Sequence, residues 1–161
     1  MRCYLDIETT GLSPKNAEIT VVGLALERGP MLEVIQLVSP GIEERSIRAA
    51  LEGVTTIYTY NGHRFDLPFL RKRLGIHLEK SFVHCDLMFS CWQQELKGGL
   101  KRVEQKLNIR RRLKDINGWM AVQLWRDYTE NGDPDALQTL LDYNQEDVVN
   151  LQTLRIRLNI P

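Results

Sequence analysis

The sequence predicts an α/β fold built on a five-stranded mixed sheet. Two observations lead there. Three β-rich runs joined by short turns fill the first 38 residues, and helical periodicity then alternates with two short β-branched runs before dominating the C-terminal half. Cys3–Ile7 reads as the first strand and ends at the turn Thr9-Thr10-Gly11. Ile19–Leu26, rich in Val, Ile and Leu, reads as a buried strand, and Leu32–Val38 follows it across the turn Arg28-Gly29-Pro30. Such short connections suit an antiparallel meander.

Pro40-Gly41 breaks the pattern, and 43–51 is predicted as a short helix. Thr55–Thr59 is the fourth strand, closed by Asn61-Gly62. Leu67, Leu70 and Leu74 then recur at helical spacing up to Gly75, a natural C-terminal stop. Phe82–Cys85 is the fifth strand. The three early strands are expected to be antiparallel and the last two parallel. Beyond Asp86, helices are predicted over 87–96, 100–107, 119–128 and 136–158, the last opened by an Asp133 cap followed by Pro134.

The 161 residues suit one domain, 1–161, with no internal repeat or interdomain linker. Hydrophobic residues make up 43% and charged residues 26%, the balance of an ordinary globular chain. Asp6 and Glu8 interrupt any apolar leader, and no run reaches the roughly 20 apolar residues of a membrane span. The expectation is a cytoplasmic protein without membrane association. Cys3, Cys85 and Cys91 are odd in number and lack metal spacing, so they read as free thiols. A net charge of zero argues against a protein that coats nucleic acid by charge alone.

Three groups of residues carry chemistry. Asp6 and Glu8 alternate with Ile7 on the first strand, so both carboxylates share one face. Their repulsion calls for compensation, and a divalent cation supplies it; solvated acids at a strand end are the plainer reading. Asp66 stands at the start of a helix with Pro68 in the first turn, which fits an N-cap, a metal ligand, or both. Tyr143 and Asp147 lie one turn apart in the last helix beside the stripe Leu140, Leu141, Val148 and Leu151.

Together these phrases resemble the DEDD exonucleases that carry a tyrosine. Leu5-Asp6-Ile7-Glu8-Thr9, Tyr60-Asn61 with Phe65-Asp66 and Pro68, and Tyr143 to Asp147 are similar to the exonuclease domain of family-B DNA polymerases. His84-Cys85-Asp86-Leu87 and Asp115-Ile116-Asn117-Gly118 add a likeness to stand-alone ribonuclease-H-like proteins of the YprB type. The resemblance implies a ribonuclease-H-like fold and 3′→5′ hydrolysis of phosphodiesters in single-stranded or 3′-end DNA or RNA. It further implies that Asp6, Glu8, Asp66 and Asp147 hold two Mg²⁺ or Mn²⁺ ions, and that Tyr143 orients the attacking water. By the same likeness Thr9, Gly11 and Leu12 meet the terminal nucleotide, and Asn61 and Phe65 the penultimate one. Core packing is the alternative for Leu12 and Phe65.

Other residues read more plainly. Asp86 reads as a helix cap ahead of an acid that supports the metal ligands, and Asp115 as a similar or a loop acid. His63, His77 and His84 lack ligand spacing, and no histidine lies near Asp147 in the last helix, which favours the tyrosine subclass. Arg71-Lys72-Arg73 and Arg110-Arg111-Arg112 with Lys114 read as solvated faces before phosphate contacts. Trp92, Trp119 and Trp125 are expected in helix cores. Two alternatives stand beside the exonuclease: a binding or partner-docking module of the same fold, and a structure-specific endonuclease. A protein partner is not readable from the sequence.

Overall fold

A computed structural model describes residues 1–161. Five strands, β1 (Arg2–Thr9), β2 (Ile19–Arg28), β3 (Met31–Val38), β4 (Thr56–Thr59) and β5 (Val83–Asp86), form one sheet in the order β3-β2-β1-β4-β5. The pairs β1–β2 and β2–β3 are antiparallel, whereas β4 joins β1 and β5 joins β4 in parallel. The expected mixed sheet is therefore observed. Its parallel half needs crossovers, and the helices α1 (Glu44–Ala50) and α2 (Asp66–Leu74) lie in them. The remaining helices are α3 (Leu87–Gln93), α4 (Leu100–Lys106), α5 (Gly118–Asn131) and α6 (Pro134–Arg157). A single 3₁₀ turn at Leu78–Lys80 precedes β5, where the periodicity gives no sign of one.

Strand alternation divides β1 between two cores. Cys3, Leu5 and Ile7 pack with Ile47 and Leu51 of the α1 region and with Leu67, Phe69 and Leu70 of α2. Tyr4 joins Leu87, Cys91, Val103, Val148, Leu151 and Leu154 on the opposite face. Period-two geometry thereby sends Asp6 and Glu8 to the α6 side. There Tyr143 packs with Val21, Ala121 and Leu140 in a third, smaller cluster.

Local signals account for the helix ends. Asp133 accepts from the amides of Asp135 and Ala136, with Pro134 in the first turn of α6. Gly75 ends α2 with φ 70°, a left-handed value that a side chain would resist. α6 runs across β1, β2 and β3. Its close approach to β2 occurs at Gly23, where a Cβ would overlap the Asn144 amide. The three cysteines are free; Cys3 and Cys91 are buried. No helix is long and apolar enough to cross a membrane.

A candidate metal-binding active site

Asp6 and Glu8 reach the end of β1 at a register shift between Glu8 and Thr9, where the β1–β2 ladder is interrupted. α6 brings Asp147 over them. One carboxylate oxygen from each of Asp6, Glu8 and Asp147 lies within 4.8 Å of the others. Glu8 and Asp147 are buried and Asp6 is half-buried. Burial pushes the carboxyls of Asp6 and Glu8 well above the usual range, and Asp147 raises them further. Asp147 is itself raised to about 6 by burial, against the lowering effect of Arg111.

Asp66 arrives from a different direction. It is the first residue of α2, and Phe65 takes the cap position without a side-chain cap bond. The expected N-cap role therefore fails. Instead Asp66 Oδ1 accepts from the Ile7 amide at 3.1 Å, tying the helix start to β1 between the two strand acids. Burial lifts Asp66 to about 7, moderated by backbone hydrogen bonds and raised by Asp86 and Asp147. It is not one of the three acids that converge within 4.8 Å.

Asn144 and Arg111 hold this acidic ground together. Asn144 Nδ2 donates to Asp6 Oδ2 at 3.0 Å, and its Oδ1 accepts from Gln36 at 2.9 Å. Arg111 donates from Nη2 to Asp147 and makes two bonds to Glu104, at 2.6 and 2.9 Å. Glu104 also accepts from Asn150 at 3.0 Å. Arg111 is 6% exposed, so the expectation of a solvated arginine run is corrected at its centre. Arg110 and Arg112 are exposed as expected. Nothing in the triplet Arg110-Arg111-Arg112 marks the middle residue; the signal lay in Glu104 and Asn150, polar residues embedded in helical apolar stripes.

A cavity of about 550 Å³ opens above the acids. Asp6, Glu8, Asp147 and Tyr143 line it, together with Thr9, Gly11, Leu12 and Phe65. α5 supplies the opposite wall through Trp119, Val122, Gln123 and Arg126, which recur at helical spacing on one face. Trp119 is 71% exposed and Leu12 89% exposed, so both stand free of the core. The expected core role of Trp119 is thus corrected, as is that of Trp92, which is exposed on α3, and core packing is excluded for Leu12. Phe65 does both things: its ring lies 4.8 Å from that of Phe69, and it faces the cavity. Tyr143 is 8% exposed, and burial and the neighbouring acids push its phenol up.

Asn61 does not line the cavity. It sits at φ 63° in the turn after β4, and its amide donates to Asp86 at 2.8 Å. Asp86 also accepts from His63 and Met88 amides, so the expected cap at α3 is present and anchors the turn as well. Asp115 is exposed in the segment before α5.

The family model described as RNase_H superfamily matches residues 3–159. The chain belongs to that superfamily. A curated relative, the uncharacterized protein YprB of Bacillus subtilis (strain 168), is 30% identical over 170 residues. The match takes in 97% of this chain and 41% of YprB, so the chain spans about two-fifths of that relative. Among solved structures, the family B DNA polymerase of Pyrobaculum calidifontis superposes with a TM-score of 0.72 at 21% identity. That match covers 98% of this chain and 24% of the polymerase. Brucella melitensis NrnC bound to pGG gives a TM-score of 0.69 at 21% identity, covering 98% of this chain and 71% of NrnC. An NrnC structure with bound Mg²⁺ gives 0.68 at 20% identity, with 98% and 71% covered. These structures share the fold with this chain.

Proposed function

We propose that the chain is a metal-dependent 3′→5′ exonuclease acting on single-stranded or 3′-end DNA or RNA. One observation carries the reading: three carboxylates converge within 4.8 Å at the floor of a cavity whose rim exposes large apolar side chains. Three like charges so close, with Arg111 as the paired cation, form a donor set that a hard divalent ion fits. Asp6, Glu8 and Asp147 would hold such an ion, with Asp66 near a second. Bound there, two Mg²⁺ or Mn²⁺ ions would supply activation of water and stabilisation of the charge that builds on the phosphate.

The chain's own residues supply the rest. Asn144 holds the Asp6 carboxylate in place. Tyr143, with its phenol pushed up, keeps its proton at neutral pH and donates a hydrogen bond that orients the nucleophile. Leu12, Phe65 and Trp119 offer apolar faces to the terminal bases, which suits any sequence because every base has a π-face. Thr9 and Gly11 bring backbone to the terminal sugar; Thr9 Oγ1 already donates to the Gly11 carbonyl at 2.6 Å.

The solved fold neighbours include a nuclease in its apo form, and NrnC with pGG or with Mg²⁺ bound, which supports this direction. The reading is confined to the part of YprB that this chain matches. The test is a digest of 5′-labelled and 3′-labelled DNA and RNA oligonucleotides with Mn²⁺, with Asp6→Ala as control. Mononucleotides released from the 3′ end support the reading. Internal fragments favour the endonuclease, and no cleavage favours a binding module.

A further inference from the structure

Behind the Arg111–Asp147 pair lies a second cavity of about 320 Å³. Its lining includes four cations, Lys101, Arg110, Arg111 and Lys114, and one acid, Glu104. Glu104 is already engaged: Arg111 Nε and Nη2 and Asn150 Nδ2 donate to its two oxygens. The side chains of Arg110 and Lys114 make no ion pair and no hydrogen bond, and Lys101 Nζ has only the Lys114 carbonyl at 3.3 Å. Arg111 Nη1 is buried without a hydrogen-bond partner, 4.0 Å from Glu146 Oε2. Three cations without carboxylate partners therefore face one concavity beside the buried Arg111 guanidinium.

The frame of this cavity is built, not incidental. Asn150 donates to the Arg110 carbonyl at 3.2 Å, and Glu146 accepts from the amides of Arg112 and Leu113 at 2.6 and 2.9 Å. Both residues belong to α6, the helix that carries Asp147, so the basic segment is pinned to the catalytic helix. Lys101 Nζ lies 5.3 Å from the Tyr143 ring centroid, and Tyr143 lines the acidic cavity. Lys101 and Arg111 of this cavity thus stand beside Tyr143 and Asp147 of the acidic one, although no residue lines both. Burial and then Arg111 push the Lys101 ammonium down, against the opposing pull of Asp147, Glu104 and Asp115.

We infer that the cavity formed by Lys101, Arg110 and Lys114 over Arg111 binds a phosphate group, that of the substrate strand next to the one being cut. The inference rests on the exonuclease reading for the identity of the strand. The chemistry is otherwise that of an ammonium and guanidinium cluster, which recognises phosphate by charge and by forked donation. The same cavity would accept the phosphate of a released mononucleotide, and the test separates these sources.

The variant is Lys101→Gln/Arg110→Gln/Lys114→Gln, with Arg102→Gln/Lys106→Gln as a control of exposed cations on α4 outside the cavity. Binding of 5′-fluorescein-dT10 is followed by anisotropy with Ca²⁺ at several KCl concentrations, with inorganic phosphate and dTMP as competitors. For a single strand, the slope of log affinity against log salt falls by about 0.7 for each phosphate that the protein ceases to neutralise. The triple variant is expected to show a slope shallower by about 0.7–1.4 and an affinity about tenfold lower at low salt, with the control unchanged. A variant that keeps the dT10 slope but loses inhibition by dTMP and phosphate assigns the cavity to the free source. Wild-type behaviour toward all three probes, or an equal loss in the control, overturns the inference. If wild type then still digests dT10 with Mn²⁺, only the cavity is lost; if it neither binds nor digests dT10, the exonuclease reading falls too. Arg110→Gln and Lys114→Gln alone, both at exposed positions, give the same readout should the triple variant fail to fold.

Discussion

Asp66→Asn should make the metal-free protein more stable at alkaline pH. Asp66 is 3% exposed, and burial raises its carboxyl to about 7. A carboxyl raised in the folded state holds its proton more tightly there than in the unfolded chain. Its contribution is therefore intact at acid pH and is lost as pH rises from about 4 through about 7. The interval between the unfolded value near 3.9 and about 7 corresponds to roughly 4 kcal/mol by linkage. Relaxation and the shared proton among the neighbouring acids should reduce this to about 2 kcal/mol in practice. Asparagine keeps an oxygen for the Ile7 amide and removes the charge. Thermal melts in EDTA should show Asp66→Asn above wild type by about 4–8 °C at pH 8.5, given the size of the chain. The gap should shrink to about a third of that at pH 5 and vanish only below about pH 4. A variant that melts below wild type at pH 8.5, or a gap that ignores pH, would refute the electrostatic argument.

Three further outcomes follow from the same geometry. Arg111→Met should destabilise the protein by about 3–5 kcal/mol in urea unfolding, because it strands the buried Glu104, whereas Arg112→Met at the exposed neighbour should have little effect. Tyr143→Phe should slow turnover at least tenfold while Mn²⁺ affinity stays within about twofold of wild type, since it removes an orienting donor and no carboxylate; unchanged turnover removes the phenol from the reaction. Trp119→Ala should weaken oligonucleotide binding by about 1–3 kcal/mol in anisotropy titrations, with a melting temperature within a degree or two of wild type, because the indole is 71% exposed.

Much of the architecture could be read from local pattern. Apolar and β-branched runs between turns place all five strands, and Asp133-Pro134 and Gly75 mark their helix ends because cap chemistry is local. Asp6 and Glu8 were legible because strand alternation sets their face without tertiary information. Asp147 was legible because a helical face beside an apolar stripe predicts burial.

Long-range partners were not legible in this way. Arg111 sits between two arginines in the segment between α4 and α5, and is buried only because Glu104 of α4 and Asp147 of α6 converge on it. Trp119 shares a helix with Trp125, yet the two are six residues apart and point to different faces. Trp125 belongs with Ala121, on the side that packs against Tyr143 and Leu140, whereas Trp119 belongs with Val122 and Arg126 on the cavity side. Asp66 looked like a cap because of its position before Pro68; its carboxylate is instead claimed by the Ile7 amide on a distant strand.

The most direct test of the acidic site is calorimetric titration of the metal-free protein with Mn²⁺, alongside Glu8→Gln. Wild type should give a saturable exothermic or endothermic isotherm and a higher melting temperature with Mn²⁺, and Glu8→Gln should lose most of both. No heat and no thermal shift in wild type, or identical isotherms in the two proteins, would contradict a cation site at Asp6, Glu8 and Asp147.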